Sequence, residues 1–305
     1  MNKLYNALGI SKQSFHQKME RLNYRRIENA QLLLVITDVR EDHPTMCVRD
    51  MYYMLRPLNI GRDAFEAFCS QQGLMSKRIK NFKRTTDSSG VIRFDNLIKD
   101  KQLTSINKIW QSDITYFEVA GKFYYLTFIM DSFSRRIIGY SVSKRLTTEC
   151  TTLPALTMAI KLRLNHKLSI TNVILHSDGG GQYYDTNFLS LTFKSGIRNS
   201  MCKFAWENGK AERFNGVIKN NYLIHRSIAT FECLVREVDR AVLLYNTQKP
   251  HIELQRKSPV TFENGYLCIG QQSDGVKSAT ELMPWLPEGS ALRAEDNNPS
   301  GSISL

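Results

Sequence analysis

From residue 108 onward, the spacing of apolar and polar positions predicts three strands in succession, then a helix, a strand, a helix, a short strand and two further helices. Three adjacent strands favour a meander, with turns at Ala120-Gly121 and Asp131-Ser132. The strands are predicted at 109–117, 123–130, 136–142, 173–178 and near Ile197, and the helices from near 154 to 164, around 188–193, from about 206 to 219 and at 231–245. The pattern therefore predicts an α/β core over residues 108–265.

Residues 1–30 are predicted to form a helix, a glycine turn and a second helix with Ser11 as its N-cap. The second helix has an apolar side at Ile10, Phe15, Met19 and Leu22. Its other side carries Lys12, Gln13, His16, Gln17 and Arg21. Such side chains are typical of a recognition helix in a major groove. A small helical hairpin with a solvated basic face remains an open alternative.

Two more segments precede the core. Residues 44–75 contain a second unit of helix-turn-helix type, with helical patterns at 48–55 and 61–69. Residues 76–107 form a basic linker able to follow a phosphate backbone, and its candidate DNA contacts are Lys77, Arg78, Lys80, Lys83 and Arg84. Beyond the core, residues 266–305 are rich in Gly, Ser, Asn and acid, which predicts a disordered tail.

Charge adds a partner to this picture. The chain of 305 residues has a formal charge of +12, and residues 1–109 hold 19 Lys and Arg against 11 Asp and Glu. An excess of positive charge favours nucleic acid as a partner, although a merely basic soluble surface is the alternative. No apolar run approaches the ~20 residues of a membrane span, and no signal peptide is evident, so a cytoplasmic protein is expected. Six scattered cysteines indicate neither a zinc finger nor a disulfide framework.

Three acids occupy positions that suggest chemistry. Asp113 lies inside an apolar strand, where its charge needs compensation. Asp178 ends a strand and precedes three glycines, and Glu212 lies in the first turns of a helix. Ser-Asp-Gly-Gly is also ordinary turn chemistry, so Asp178 alone would indicate little. Together, three carboxylates from two strands and a helix can converge on divalent cations, which prefer oxygen ligands.

Five segments in a fixed order carry a resemblance to a known family. They are Trp110-Gln111-Ser112-Asp113-Ile114-Thr115, Asp131-Ser132-Phe133-Ser134-Arg135, His176-Ser177-Asp178-Gly179-Gly180-Gly181-Gln182-Tyr183, Trp206 to Phe214, and Tyr245-Asn246-Thr247-Gln248-Lys249-Pro250-His251. Over roughly residues 45–265 the chain resembles IS3-type insertion-sequence transposases, within the superfamily of DDE transposases and retroviral integrases. The resemblance implies a ribonuclease H-like core, a mixed sheet flanked by helices, preceded by all-helical DNA-binding units.

The resemblance also implies a mechanism. Asp113, Asp178 and Glu212 would hold two Mg²⁺ ions about 4 Å apart, with Mn²⁺ able to substitute, for in-line phosphoryl transfer on DNA. The family usually has about thirty-five residues between its last two acids, whereas thirty-three separate Asp178 from Glu212, so Glu207 remains an alternative third acid. The implied partners are double-stranded DNA, as element terminal repeats and target, and further copies of the chain in a synaptic complex.

Lys219, seven residues after Glu212, projects from nearly the same helix face. The resemblance implies that it grips DNA beside the scissile bond, and an ordinary solvated lysine is the alternative. Asp131 is predicted to be a turn cap or an arginine partner, and His176 a packing residue. Two other functions stay open: a DNA-binding regulator with vestigial acids, and a nuclease of the same fold that only hydrolyses.

Overall fold

The computed structural model describes residues 5, 9, 11–76, 94–99, 101–202 and 209–273. Within them the strands are β1 (Ile109–Val119), β2 (Lys122–Asp131), β3 (Ile137–Ser143), β4 (Ile174–Ser177) and β5 (Arg198–Met201). The α-helices are α1 (Lys12–Asp42), α2 (Val48–Leu55), α3 (Arg62–Gln71), α4 (Thr152–Asn165), α5 (Thr186–Lys194), α6 (Gly209–Asn221), α7 (Phe231–Thr247) and α8 (Pro259–Ser273). The order of strands and helices predicted for the core is confirmed.

The strands form one mixed sheet in the order β3-β2-β1-β4-β5. β1, β2 and β3 are antiparallel neighbours, as a meander requires, whereas β4 and β5 extend the other side of β1 in parallel. Ala120 and Gly121 close the first hairpin with φ angles of 49° and 75°. Positive φ at both positions is what a two-residue type I′ turn demands. This topology confirms the ribonuclease H-like fold.

Helices cover both faces of the sheet because the side chains of each strand alternate between two apolar sides. On one face, Phe128 of β2 packs with Phe214 of α6 and Val238 of α7. On the other face, Trp110 of β1 packs with Leu156 of α4. Asp113 and Trp110 are an odd number of positions apart, so Asp113 belongs to the α6 face of β1.

The first helix is longer than its predicted helix-turn-helix unit. Ser11 is its N-cap as predicted, since the hydroxyl of Ser11 accepts a hydrogen bond from the Ser14 amide at 3.0 Å. No glycine or proline occurs between residues 10 and 43, so α1 continues to Asp42 and ends just before Pro44. The predicted boundary at residue 30 therefore lies inside a continuous helix.

A small core of its own holds the N-terminal helices together. Ile36 of α1, Met51 of α2 and Phe65 of α3 are fully buried against one another, and α2 and α3 lie where the pattern predicted helices. His43 joins this group to the α/β core, because its two ring nitrogens lie 3.1 Å from the Tyr222 hydroxyl and 3.0 Å from Gln248 Oε1. The end of α6 is thus tied to the end of α1.

Part of the predicted linker lies against the sheet. The Leu97 amide donates to Ser200 Oγ at 2.9 Å, and the Ser200 hydroxyl donates to the Asp95 carbonyl at 3.2 Å, so residues 94–99 cover the β5 edge. α8 passes the predicted core limit at 265 and reaches Ser273; residues 274–305, the rest of the predicted tail, lie outside the described residues. Among the helices that the structure describes, none is both long and apolar enough to cross a membrane.

Candidate active site

Asp113 projects from the middle of β1 toward α6. The Asn215 side-chain amide of α6 donates to Asp113 Oδ2 at 2.7 Å, and Asn215 itself is buried. The ring of Phe214 in α6 packs edge-on against that of Phe128 in β2, with centroids 5.4 Å apart, and this contact helps to set the distance between the helix and the sheet. A carboxylate inside an apolar strand thereby receives one strong hydrogen bond from the helix above it.

Asp178 lies one residue beyond the end of β4. The β1-β4 ladder pairs Gln111 with His176, so Asp113 and Asp178 each follow that pair by two residues. The Gly180 amide donates to Asp178 Oδ1 at 3.2 Å. A Cβ on Gly180 would stand 3.2 Å from that same oxygen, so a larger residue there would require the Asp178 carboxylate to shift slightly. The parallel pairing of two strands therefore brings two acids, 65 positions apart in the sequence, to the end of the β1–β4 pairing.

Glu212 belongs to the first turn of α6 and is exposed. Its charge reaches Asp113, because burial, then the charge of Asp178 and then that of Glu212 raise the pKa of Asp113 to about 8. Burial also raises the pKa of Asp178, and the hydrogen bond from the Gly180 amide opposes that rise. The three acids therefore share one electrostatic neighbourhood, which is unfavourable for negative charge on its own.

The donor set suits a divalent cation. Its atoms are carboxylate oxygens, the ligands that hard cations prefer, and a cation beside Asp113 would offset both its burial and its like-charged neighbours. In the described part of the chain, no three side chains of His, Cys, Asp or Glu stand close enough together to form a ready-made metal site.

Lys219 lies two turns after Glu212 and contacts β1 beside Asp113. Its amine donates to Thr115 Oγ1 at 2.9 Å and to the Tyr116 carbonyl at 3.3 Å, and lies 5.3 Å from the centre of the Tyr116 ring. Burial lowers the pKa of Lys219, whereas the charge of Asp113 opposes that shift. Lys219 is therefore held against the strand that carries Asp113.

The candidate DNA-binding residues fall into two groups. The side chains of Lys12, Gln13, His16 and Arg21 are all exposed along α1. Met19 and Leu22, on the predicted apolar side, are also exposed, at 36% and 41%. The linker residues Lys77, Arg78, Lys80, Lys83 and Arg84, and the alternative acid Glu207, lie outside the described residues.

Asp131 has both structural roles predicted for it. Its Oδ1 accepts the amides of Phe133 and Ser134 at 3.0 and 3.1 Å, which caps the turn after β2. Its Oδ2 pairs with the buried guanidinium of Arg163 at 3.2 Å, and Arg163 also pairs with Glu263 of α8. Asp131 is therefore a structural acid.

His176 is a packing residue, as predicted. It is fully buried, and its Nδ1 lies 3.0 Å from Ser200 Oγ of β5.

Sequence reasoning missed Asn215. It stands three residues after Glu212 and four before Lys219, so all three lie on one helical face. That spacing was the available signal, but it becomes specific only when β1 is placed beneath the helix. Thr115, which receives the Lys219 amine, was missed for the same reason.

Comparison with known proteins follows the same span of the chain. Two family models described as Integrase core domain match residues 104–205 and 196–259. The chain is 30% identical over 222 residues to the transposase InsF of insertion sequence IS3A from Escherichia coli strain K12, covering 70% of this chain and 73% of that protein. It is 28% identical over 212 residues to an uncharacterised protein of insertion element IS600 from Shigella sonnei, covering 68% and 76%.

Among solved structures, the chain is similar to the HTLV-2 integrase catalytic core domain in complex with magnesium. That match has 23% identity and a TM-score of 0.42, and covers 52% of this chain and 97% of the other.

Proposed function

Because the chain belongs to the IS3-type insertion-sequence transposases, which share the integrase core domain, we propose that it cleaves DNA at element ends and joins the freed ends to target DNA. The observation that supports this proposal is the setting of Asp113, where burial, then the charge of Asp178 and then that of Glu212 raise its pKa to about 8. An acid whose pKa is raised by burial and by neighbouring charges is typical of a catalytic site.

The three acids would hold Mg²⁺, with Mn²⁺ able to substitute. Bound there, two such ions would supply the charge that activates water or a 3′-hydroxyl and stabilises the leaving oxygen. In each step a P–O bond to the attacking oxygen forms as the bond to the departing 3′-oxygen breaks. The first attack, by water, leaves a 3′-hydroxyl on the element, and the second, by that hydroxyl, joins it to target DNA.

Hydrogen bonds from neighbouring groups orient the acids of this site. Asn215 orients the Asp113 carboxylate, and the Gly180 amide orients that of Asp178. Lys219, whose amine bonds to Thr115, would pair with a DNA phosphate beside the acids. The exposed basic side chains of Lys12 and Arg21 on α1 would hold the duplex by phosphate contacts.

Strand joining is the decisive assay. Full-length protein is incubated with labelled duplexes that carry the terminal repeats of its element, a target plasmid, and either Mg²⁺ or a chelator. We expect Asp113→Asn, Asp178→Asn and Glu212→Gln to lower joining at least about a thousandfold, as the loss of an essential catalytic group does. Their affinity for the duplex in a gel-shift assay should stay near that of the unaltered protein.

Glu207→Gln is the matched control for the third acid and should retain most activity. An inactive Glu207→Gln with an active Glu212→Gln would reverse that assignment. Two other results contradict the proposal as a whole. Binding of the ends without cleavage would support a regulator with vestigial acids, and cleavage without joining would support a nuclease.

A further inference from the structure

The sheet ladder sets the separation of Asp113 and Asp178 only in part. The pairing of β1 with β4 covers Ile109–Gln111 and Ile174–His176, and β4 ends at Ser177. Both acids lie beyond the last pair, where β1 is paired only with β2 among the described residues. A contact that fixes the segment after Asp178 relative to β1 would oppose the repulsion between the two acids.

Tyr183 makes such a connection. It ends the short 3₁₀ turn Gly181–Tyr183, five residues after Asp178, and its ring is buried edge-on against Phe188 at a centroid distance of 5.5 Å. Its hydroxyl lies 2.8 Å from Ser112 Oγ, and the Ser112 hydroxyl donates to the Phe128 carbonyl of β2 at 3.1 Å. The turn after Asp178 is thus bonded to β1, and through it to β2.

Ser112 is the residue before Asp113, and neighbouring side chains of a strand point to opposite faces. Holding Ser112 from the α4 face therefore fixes the stretch of backbone from which Asp113 projects on the α6 face. Burial, and then the charges of Asp178 and Asp113, raise the pKa of the Tyr183 hydroxyl far above its usual value, so it stays protonated within the field of both acids. Phenylalanine would fill the same space without burying a hydroxyl, so what the hydroxyl adds is this bond.

We propose that Ser112 and Tyr183 are a positioning pair that sets the spacing of Asp113 and Asp178 from the far side of the sheet, and thereby the affinity of the site for divalent cations. The inference rests on the proposed function, because it takes these two acids as the cation ligands. Both side chains lie on the α4 face of β1, opposite the face from which Asp113 projects. Their effect is transmitted through the backbone of β1 and the turn after Asp178.

The test measures Mn²⁺ binding to the full-length, DNA-free protein by calorimetry or electron paramagnetic resonance, beside thermal melting and the Mg²⁺ dependence of joining. We expect Tyr183→Phe to weaken Mn²⁺ binding about tenfold, as loss of a hydrogen bond that orients metal ligands does. The Mg²⁺ concentration for half-maximal joining should rise by a similar factor. Tyr140→Phe is the matched control. It also deletes one tyrosine hydroxyl, which is bonded to Asp239 at 2.9 Å, but Tyr140 lies on β3 and its bond does not involve β1 or the turn after Asp178.

A double-mutant cycle separates the bond from the side chains. Ser112→Ala removes this bond and also the one to the Phe128 carbonyl, so it should weaken Mn²⁺ binding at least as much as Tyr183→Phe. The double variant should be no worse than Ser112→Ala alone, because the bond between the two side chains is already lost in that variant. Additive losses would overturn the proposal, as would Mn²⁺ affinity at the unaltered level in Tyr183→Phe. If Tyr183→Phe does not fold, Ser112→Ala decides alone by the same criterion.

The proposed function and this inference fail differently. If the unaltered protein binds Mn²⁺ but joins no DNA, the proposed function fails, and the Mn²⁺ affinities still decide for or against the positioning pair. If the unaltered protein binds no Mn²⁺, the proposed function and the positioning pair both fail.

Discussion

Asp113→Asn is expected to make the metal-free protein more stable. Asp113 lies among apolar strand residues, with the charges of Asp178 and Glu212 nearby. Burial, and then these two charges, raise the pKa of Asp113 to about 8. Its ionised form is therefore disfavoured in the fold and favoured in the unfolded chain. Asparagine has nearly the same shape and no charge, so the substitution removes this unfavourable electrostatic energy while leaving the packing unchanged.

The magnitude follows from linkage. The folded pKa of about 8 lies above the unfolded value of 3.8, so the stabilisation from the protonated acid is complete below pH 3.8 and is lost as the pH rises to 8. At 1.36 kcal/mol per unit, ionisation costs at most about 4 kcal/mol at pH 7. The hydrogen bond from Asn215 is weaker in the variant, and this loss offsets about 1 to 2 kcal/mol of the expected stabilisation. A net gain of about 2 kcal/mol remains, which is roughly 4 to 8 °C in melting temperature.

The assay is urea unfolding of both proteins with a chelator at pH 5, 7 and 8.5. The difference in free energy of unfolding should grow with pH across that window, and a difference between two variants cancels the titrations they share. In Mg²⁺ the difference in free energy of unfolding between the two proteins should become smaller or change sign, because only the unaltered protein gains stability from binding the ion.

Asp131→Asn is the matched control, with the opposite expected sign. The same chemical change there removes a partner from the fully buried Arg163. We expect a loss of about 3 kcal/mol. If Asp113→Asn is no more stable than the unaltered protein in chelator at pH 8.5, the electrostatic account of the site is wrong.

Other expectations concern the lysine, the ionic cluster and DNA binding. Lys219→Glu should weaken joining at least about tenfold and also cost about 1 kcal/mol of stability, because its amine is bonded to β1; near-normal joining would remove it from the site. Glu263→Ala should cost about 3 to 5 kcal/mol in urea unfolding, since Arg163 keeps only one of its buried carboxylates, and a loss below 1 kcal/mol would contradict this. Replacing Lys12 and Arg21 by Ala should reduce the salt slope of DNA binding by about 2, measured by fluorescence anisotropy, and an unchanged slope would exclude them from phosphate contact.

Local patterns in the sequence determined most of the fold. Three features depend only on residues close together in the sequence, so they could be predicted without the rest of the chain. They are the alternation of apolar and polar residues in β1 to β3, the Ala120-Gly121 turn, and the apolar periodicity of α4 and α7. The placement of Asp113 in a strand and of Asp178 at a strand end followed from the same patterns. The absence of glycine and proline between residues 10 and 43 was equally available, and it explains why α1 continues to Asp42.

Only the tertiary structure decided which side chains meet. The bond from Asn215 to Asp113 joins residues 102 positions apart, and the one from Tyr183 to Ser112 joins residues 71 apart. Each depends on the height of a helix or a turn above the sheet, which the packing of rings such as Phe214 on Phe128 sets. Sequence spacing gives the face of a helix or strand on which a residue lies, but it does not give the distance between two elements. That distance is fixed by close packing of the whole core, where a shift of one side chain is felt by all its neighbours.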